Sequence, residues 1–317
     1  MRAVFLDYET VSFADLDTST LLDAAPGMRL YGATAQTEIA ARIADSQIIL
    51  LNKLPLSRAQ MHGAPELRLI CLAATGTDNV DLVAARERGI AVCNVRNYCT
   101  PSVVQHVWGM ILGLTQHLRE YRRLALDGSW AGSAQFTVLA HPIRELAGRI
   151  FGVVGWGELG RAVAGVAQAF GMQVRIANRP GGERRPDRLD LRELLPIADI
   201  LTLHCPLGDA TRGLIGAAEL ALMKPDALLI NTARGALIDG AALAAALKAG
   251  KLGGAGIDVL PQEPPAAGDP LLEPGIPNLI VTPHVAWAAR ESRQRCIDSI
   301  AANIREFLAG RRRNRVV

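Results

Sequence analysis

The sequence predicts an α/β protein made of two doubly wound parallel-sheet domains, and three observations predict it. Short apolar runs alternate with helical patterns along nearly the whole chain, the signature of repeated strand–helix–strand units. A G-x-G-x-x-G turn, Gly155-Trp156-Gly157-Glu158-Leu159-Gly160, lies between a strand pattern and a helix pattern. That context separates a dinucleotide-binding turn from a chance glycine match. The chain has 317 residues, half of them hydrophobic, enough for two domains with a core each.

In chain order, residues 3–7, 47–51, 68–73 and 90–93 read as short strands, with alanine-rich helical stretches at 36–45 and 80–88. This N-terminal unit has no phosphate-type glycine loop. It does carry a loop at 73–79, Ala73-Ala74-Thr75-Gly76-Thr77-Asp78-Asn79, directly after a strand. Such a loop sits at the carboxyl edge of a parallel sheet, where ligands bind. Residues 102–118, opened by Pro101, are apolar nearly all round, so they predict a helix buried on most sides, the crossover between domains. Residues 127–145 show no periodicity. That is long for a connection, and it is read as an arm gripping a second subunit.

The apolar run 150–154 is the buried strand before the glycine turn. Leu159, Val163, Val166, Ala167 and Phe170 recur after it at helical spacing. Gly155 permits the tight turn, Gly157 lets backbone approach a pyrophosphate, and Gly160 lets the helix pack close on the strand. The phosphates then meet the open N–H groups of a helix N-terminus. Strands at 173–177, 199–203, 227–231, 255–259 and 279–282, with a helix at 240–247, complete a six-stranded Rossmann-type unit. The last helix carries an apolar stripe, Ile297, Ile300, Ala301, Ile304 and Phe307, and is expected to pack back on the first unit.

Composition narrows the function. With 21% charged and 4% aromatic residues the chain is not disordered, and no apolar run has the length of a membrane span. The first strand meets Asp7 too early for a secretory leader. A net charge of +3 is too small to imply nucleic acid, and the basic stretch 311–315 is read as a solvated tail. Cys71, Cys93, Cys99, Cys205 and Cys296 are odd in number and lack C-x-x-C spacing. They are read as reduced thiols of a cytoplasmic protein, with no metal site.

Three polar residues each follow a strand of the second unit: Arg234, Glu263 and His284. In an open α/β sheet the carboxyl ends of the strands line the ligand crevice. Their types suit hydride transfer to a 2-oxo acid. Arginine offers a planar fork for a carboxylate or carbonyl oxygen, histidine exchanges the hydroxyl proton, and a glutamate beside it orients the ring. His62, His117 and His141 lie in exposed-looking segments, and His106 is expected to pack within the crossover helix. His204 ends a strand and is expected to touch the cofactor.

The stretches AATGTDNVD (73–81), GRIFGVVGWGELG (148–160), LHCPL (203–207), MKPDALLINTARGALID (223–239), GAGIDVLPQEP (254–264) and TPHVAW (282–287) resemble the D-isomer-specific 2-hydroxyacid dehydrogenase family, in family order. Asn52-Lys53-Leu54 and the HVAW segment with Trp287 resemble its glycerate dehydrogenase and hydroxypyruvate (glyoxylate) reductase branch. The resemblance implies a flavodoxin-like, discontinuous substrate domain, 1–100 plus 288–317, and an NAD(P)-binding Rossmann domain, 101–287. It implies Arg234 as ligand of the substrate carboxylate and carbonyl, His284 as acid/base and Glu263 as its partner. Backbone amides near Thr75 and Gly76 would hold the carboxylate, with Asn52 also on the substrate. Asp258 would contact the nicotinamide amide, and Thr232 and Ala233 would line the nicotinamide pocket. The cofactor contacts expected on this reading also include Trp156, Glu158, Leu159, His204, Cys205, Pro206 and Thr211, with His284. The family is typically dimeric, so a homodimer acting on a small-molecule 2-oxo or 2-hydroxy acid is expected.

The departure from the family pattern is Asn178, at the end of the strand after the glycine helix. An acid there accepts from the 2′-hydroxyl of NAD and repels a 2′-phosphate. Asn178 removes the repulsion and retains a hydrogen-bonding side chain, while Arg179, Arg184 and Arg185 supply cations against one anion, Glu183. NADPH is therefore expected to serve at least as well as NADH. Two other readings are kept: a D-lactate-type dehydrogenase, and a non-catalytic NAD-sensing, corepressor-like binding protein. A short-chain dehydrogenase is excluded because no tyrosine has lysine four residues on.

Overall fold

Hydrophobic runs without polar interruption make parallel strands buried on both faces. In the computed structural model, which describes residues 1–317, two such sheets form, each within its own unit. The first unit comprises Met1–Cys99 and Trp287–Val317, the second Thr100–Ala286.

The first sheet contains β1 (Ala3–Phe5), β2 (Arg29–Leu30), β3 (Ile48–Leu51), β4 (Leu69–Leu72) and β5 (Ala91–Cys93). All pair in parallel in the order β2-β1-β3-β4-β5, the flavodoxin-like order. Alternation along each strand divides the side chains between two cores. Phe5, Ile48, Leu50, Leu69 and Cys71 face the last helix, Arg290–Leu308, through its Ile297, Ile300 and Ile304. Val4, Ile49, Leu51, Ile70 and Val92 face Ile39, Ile43, Met61 and Ala84.

β2 had no sequence signal, because it is two exposed residues on the sheet edge. The basic C-terminus keeps its arginines exposed, but its last residues pair with the sheet. Arg315 bridges antiparallel to Cys93, and the Val316 amide donates to Val92 O at 2.8 Å, so the chain end covers the otherwise open edge of β5.

The second sheet contains β6 (Ile150–Val154), β7 (Gln173–Ile176), β8 (Ile200–Leu203), β9 (Leu228–Asn231), β10 (Gly254–Ile257) and β11 (Leu279–Val281). The order is β11-β10-β9-β8-β6-β7, all parallel. Strand order reverses between β6 and β8, the switch point at which α/β sheets bind ligands. The long helix Thr100–Thr115 packs against β9, β10 and β11 and against the glycine-turn helix Glu158–Ala169. Its Trp108 stacks on Phe151 and Phe170.

The apolar stretch is not one helix to residue 118. His117 takes a left-handed φ of 48° and a second helix, Leu118–Leu126, starts after it with no residue buried. Residues 127–145 contain no helix or strand. No helix of the chain is long and apolar enough to cross a membrane.

Candidate active site

The sheet order places three functional-looking strand ends side by side, because β9, β10 and β11 are consecutive neighbours. Arg234 lies three residues past β9. Asn231, fully buried at the strand end, holds that turn from inside: its side-chain amide donates to Arg234 O at 2.9 Å, and its Oδ1 accepts from the Ala233 amide at 3.0 Å. Gly235 is required for close approach, since a Cβ there would lie 2.0 Å from the Leu260 carbonyl carbon. The turn bearing Arg234 is thereby pressed against the loop that leads to Glu263.

His284 lies past β11, and its Nδ1 donates to Glu263 Oε2 at 2.6 Å. Glu263 is oriented in turn, because its Oε1 accepts from the Leu260 amide at 2.9 Å. With Nδ1 on a carboxylate, Nε2 is the ring atom that would carry a proton to a substrate. His284 has φ 55°, a conformation that non-glycine residues keep only where the surroundings over-determine it.

Asp258 supplies that determination. Its main-chain oxygen accepts from the His284 amide at 2.8 Å. Its carboxylate, 1% exposed, accepts from the Val285 and Ala286 amides at 2.9 Å each and from the Thr282 hydroxyl at 2.5 Å. Since the Thr282 proton goes to Asp258, His106 Nε2, 3.0 Å away, donates to the Thr282 oxygen. Ser102 Oγ donates to Ala286 O at 2.7 Å. His106 therefore does more than pack, and the Asp258 carboxylate braces the turn that carries His284.

The glycine turn fits a dinucleotide. Gly155 has φ +102° and a Cβ on it would fall 2.5 Å from the His204 carbonyl carbon, while a Cβ on Gly160 would meet Gly155 O at 2.0 Å. Gly157, at the N-terminus of the helix, has no atom within 4 Å of a Cβ position, which leaves a cradle for a pyrophosphate. At the neighbouring ends of β8 and β9, His204 Nδ1 and Thr232 Oγ1 are buried without partners, polar atoms that a bound cofactor would satisfy. Burial holds the His204 imidazole down to about 4, so it is neutral; its Nε2 pairs with Thr202 Oγ1 at 2.9 Å.

Other residues expected at the cofactor are used within the chain. Glu158 accepts from the Thr100 hydroxyl. The Thr211 hydroxyl donates to Pro206 O at 2.8 Å and accepts from the Gly208 amide, closing the loop after β8. Cys205 is buried, its thiol pushed up to about 11 by burial, and is inert. Trp156 and Leu159 are half-buried along the turn, as is Ala233 beyond β9.

At the end of β7, the Asn178 side chain is tied into the turn. Its Nδ2 donates to Asp190 Oδ1 at 3.0 Å and its Oδ1 accepts from the Arg185 amide at 3.0 Å. Arg184 pairs with Asp190 Oδ2 at 2.5 Å. Asp190 therefore adds to the acids of the turn and takes up Arg184, while Arg179 and Arg185 are both exposed on its surface.

In the first unit, Asn52 follows β3 and is buried. Its amide donates to Asp7 Oδ1 at 2.8 Å and its Nδ2 to Thr10 Oγ1 at 3.0 Å. Asp7 Oδ2 also accepts from the Lys53 and Leu54 amides. Thr75 and Gly76 follow β4; Thr75 is exposed and Gly76 half-buried. The Thr75 side chain donates to Val95 O at 2.8 Å, while the main-chain amides of Thr75 and Gly76 donate to no backbone carbonyl. Asp7 and Asn231 were missed from sequence; the signal was a lone polar residue closing an apolar strand.

Residues 108–286 match the model of the D-isomer specific 2-hydroxyacid dehydrogenase NAD binding domain. The chain is 43% identical over 277 residues, 87% of each chain, to a glycerate dehydrogenase of Methylorubrum extorquens. It is 36% identical over 317 residues, 98% of each chain, to a hydroxypyruvate reductase of Blautia hydrogenotrophica. Among solved structures, an acyclic imino acid reductase in complex with NADPH and D-Arg superposes over the full length of both chains, with TM-score 0.87 and 25% identity.

Proposed function

The chain belongs to the D-isomer-specific 2-hydroxyacid dehydrogenase family, and from that premise we propose that it reduces a small 2-oxo acid to the D-2-hydroxy acid, with hydroxypyruvate or glyoxylate ahead of pyruvate. The observation that carries the reading is the His284–Glu263 hydrogen bond of 2.6 Å, one strand beyond the turn that carries Arg234. A nicotinamide held there would supply the hydride to C2. As the C=O electron pair moves onto oxygen, His284 Nε2 delivers the proton to it, and Glu263 holds the resulting ring. Arg234 receives the carboxylate and the carbonyl oxygen, so negative charge develops against a fixed cation. The amides of Thr75 and Gly76, with Asn52, receive the substrate carboxylate. Gly155, Gly157 and Gly160 seat the pyrophosphate, and His204, Thr232 and Ala233 line the nicotinamide side.

NAD(P) is the cofactor, and NADPH is proposed to serve at least as well as NADH because Arg179 offers an unpaired fork beside a strand end without its own acid. A homodimer is proposed through residues 118–143. No residue of the helix Leu118–Leu126 is buried, and Phe136 and Leu139 are 91% and 83% exposed. Such contiguous apolar surface marks an interface, here assigned to a second copy. The five free thiols agree with the reducing cytoplasm. The reading is tested by following reduced coenzyme at 340 nm over a panel of 2-oxo acids. Highest kcat/KM on hydroxypyruvate or glyoxylate supports it. Pyruvate ahead of both would favour the D-lactate-type reading, and coenzyme binding without turnover the corepressor-like one.

A further inference from the structure

The strand-end sequence hides a carboxylate that the fold delivers from elsewhere. Behind β7 the chain loops out and returns alongside itself: Ala177 bridges Leu189 in parallel, the Asn178 amide donates to Leu189 O at 2.7 Å, and the Leu189 amide to Ile176 O at 2.9 Å. That return sets Asp190 directly beside Asn178. One Asp190 oxygen takes the Asn178 side-chain amide at 3.0 Å and the other the Arg184 guanidinium at 2.5 Å. The Asp190 amide is fixed by Glu193 Oε2 at 2.8 Å. Asp190 is about one third exposed, Arg184 81% exposed.

We propose that Asp190 is the residue that discriminates the 2′-substituent of the coenzyme, in place of the acid absent from position 178. Two consequences follow from the geometry. Position 178 carries an amide because a carboxylate there would face Asp190 at hydrogen-bonding distance, and two carboxylates sharing one site cannot both ionise without penalty. Arg184, which the sequence offers to a phosphate, is masked by its ion pair with Asp190. A 2′-phosphate therefore meets one anion and draws Arg184 away from it, whereas a 2′-hydroxyl meets a carboxylate with lone pairs still open to accept it. Arg179 and Asp190 then act in opposite senses on the same coenzyme atom, and the balance between them sets the preference.

The inference rests on the reading that this turn faces the adenosine ribose, and its test is independent of which coenzyme the wild type prefers. Dissociation constants for NADH and NADPH are measured by coenzyme fluorescence titration in the wild type, Asp190→Asn, Asp190→Ser, Arg179→Ala, Asn178→Asp, the swap Asn178→Asp/Asp190→Asn, and Asp190→Asn/Arg184→Ala. Asp190→Asn should shift the NADPH-to-NADH affinity ratio toward NADPH by about tenfold, the scale of one charge-assisted contact. Arg184→Ala in that background should abolish most of the gain. Asn178→Asp alone should weaken both coenzymes, and the swap should restore NADH binding to within about threefold of wild type. Asp190→Ser, which keeps a short polar side chain at the start of the helix Leu191–Leu194, serves where Asp190→Asn alone folds poorly. A ratio within twofold of wild type in both Asp190→Asn and Asp190→Ser overturns the role of Asp190. Ratios that move with Asp190→Asn while Arg179→Ala leaves NADPH affinity unchanged would uphold Asp190 and reject Arg179 as the phosphate ligand. Ratios unmoved by every substitution in the turn would reject the ribose-facing reading itself.

Discussion

Two loops, one in each unit, are held by the same device and end in different chemistry. In the first unit Asp7, past β1, collects the amides of Asn52, Lys53 and Leu54 past the neighbouring strand β3. In the second, Asp258, past β10, collects the amides of Val285 and Ala286 past the neighbouring strand β11. A buried carboxylate at one strand end is the anchor for the loop on the next, because main-chain N–H groups at a strand terminus need acceptors. The cost shows at Asp7, where burial raises the carboxyl above its ordinary value despite three amide donors.

The difference lies in what each loop exposes. The Asp7 loop offers a polar main chain and Asn52, whose side chain is tied to Thr10. The Asp258 loop forces His284 into φ 55° and turns its ring onto Glu263, with Thr282, His106 and Ser102 bracing the same turn. A loop that only binds is satisfied by amide capture. A loop that must aim a proton is braced from several elements, since a misplacement of about 1 Å costs roughly 10²-fold in rate.

The comparison is broken most directly at His284. His284→Ala should lower kcat by about 10²–10⁴, the reach of general acid catalysis, and near-normal kcat would remove the ring from the chemistry. Next, Asp258→Asn should lower kcat by about 10²-fold with coenzyme affinity retained, because the amide cannot accept from every donor it faces. If Asp258→Asn raises only KM, the two loops are not different in kind. Asp7→Asn should do the reverse, raising the KM for the 2-oxo acid by about tenfold with kcat within about threefold.

A smaller effect sharpens the coenzyme side: Arg179→Ala should reduce kcat/KM for NADPH by about tenfold and leave NADH nearly unchanged, with the difference screened by salt. The smallest is a stability effect at His204. Its imidazole is held at about 4 against an ordinary 6.5, so as pH falls the unfolded chain takes the proton first. Stability is complete above 6.5 and is lost as pH falls toward 4. His204→Asn should reduce the acid-induced fall in Tm by roughly 3–6 °C, read as melting curves at neutral pH and on the acid side. An unchanged fall would show that the ring is protonated in the folded state.

Much of this was legible beforehand for a definable reason. Strands at residues 150–154 and 228–231, the turn at Gly155 and the order Arg234, Glu263, His284 depend on periodicity and turn chemistry that span a few residues, so the sequence carries them directly. Two features were missed for local reasons. The pairing of the chain end was not legible at 311–315, because charge is the only local signal there and the partner is Cys93. The helix break at His117 carried neither glycine nor proline.

The sequence by itself determined the fold class, the dinucleotide turn and the set of chemically capable residues. Tertiary structure decided which polar groups hold them. The contacts of Asp7 with Asn52, Asp258 with Ala286, and Asp190 with Asn178 join residues 45, 28 and 12 apart. None of these separations is a helical or strand period. They arise because parallel register sets the carboxyl ends of different strands side by side, and because β7 meets a returning segment at its end. A hydrogen bond between side chain and backbone depends on that register to within a few tenths of an ångström, and register is a property of the folded sheet rather than of any one stretch within it.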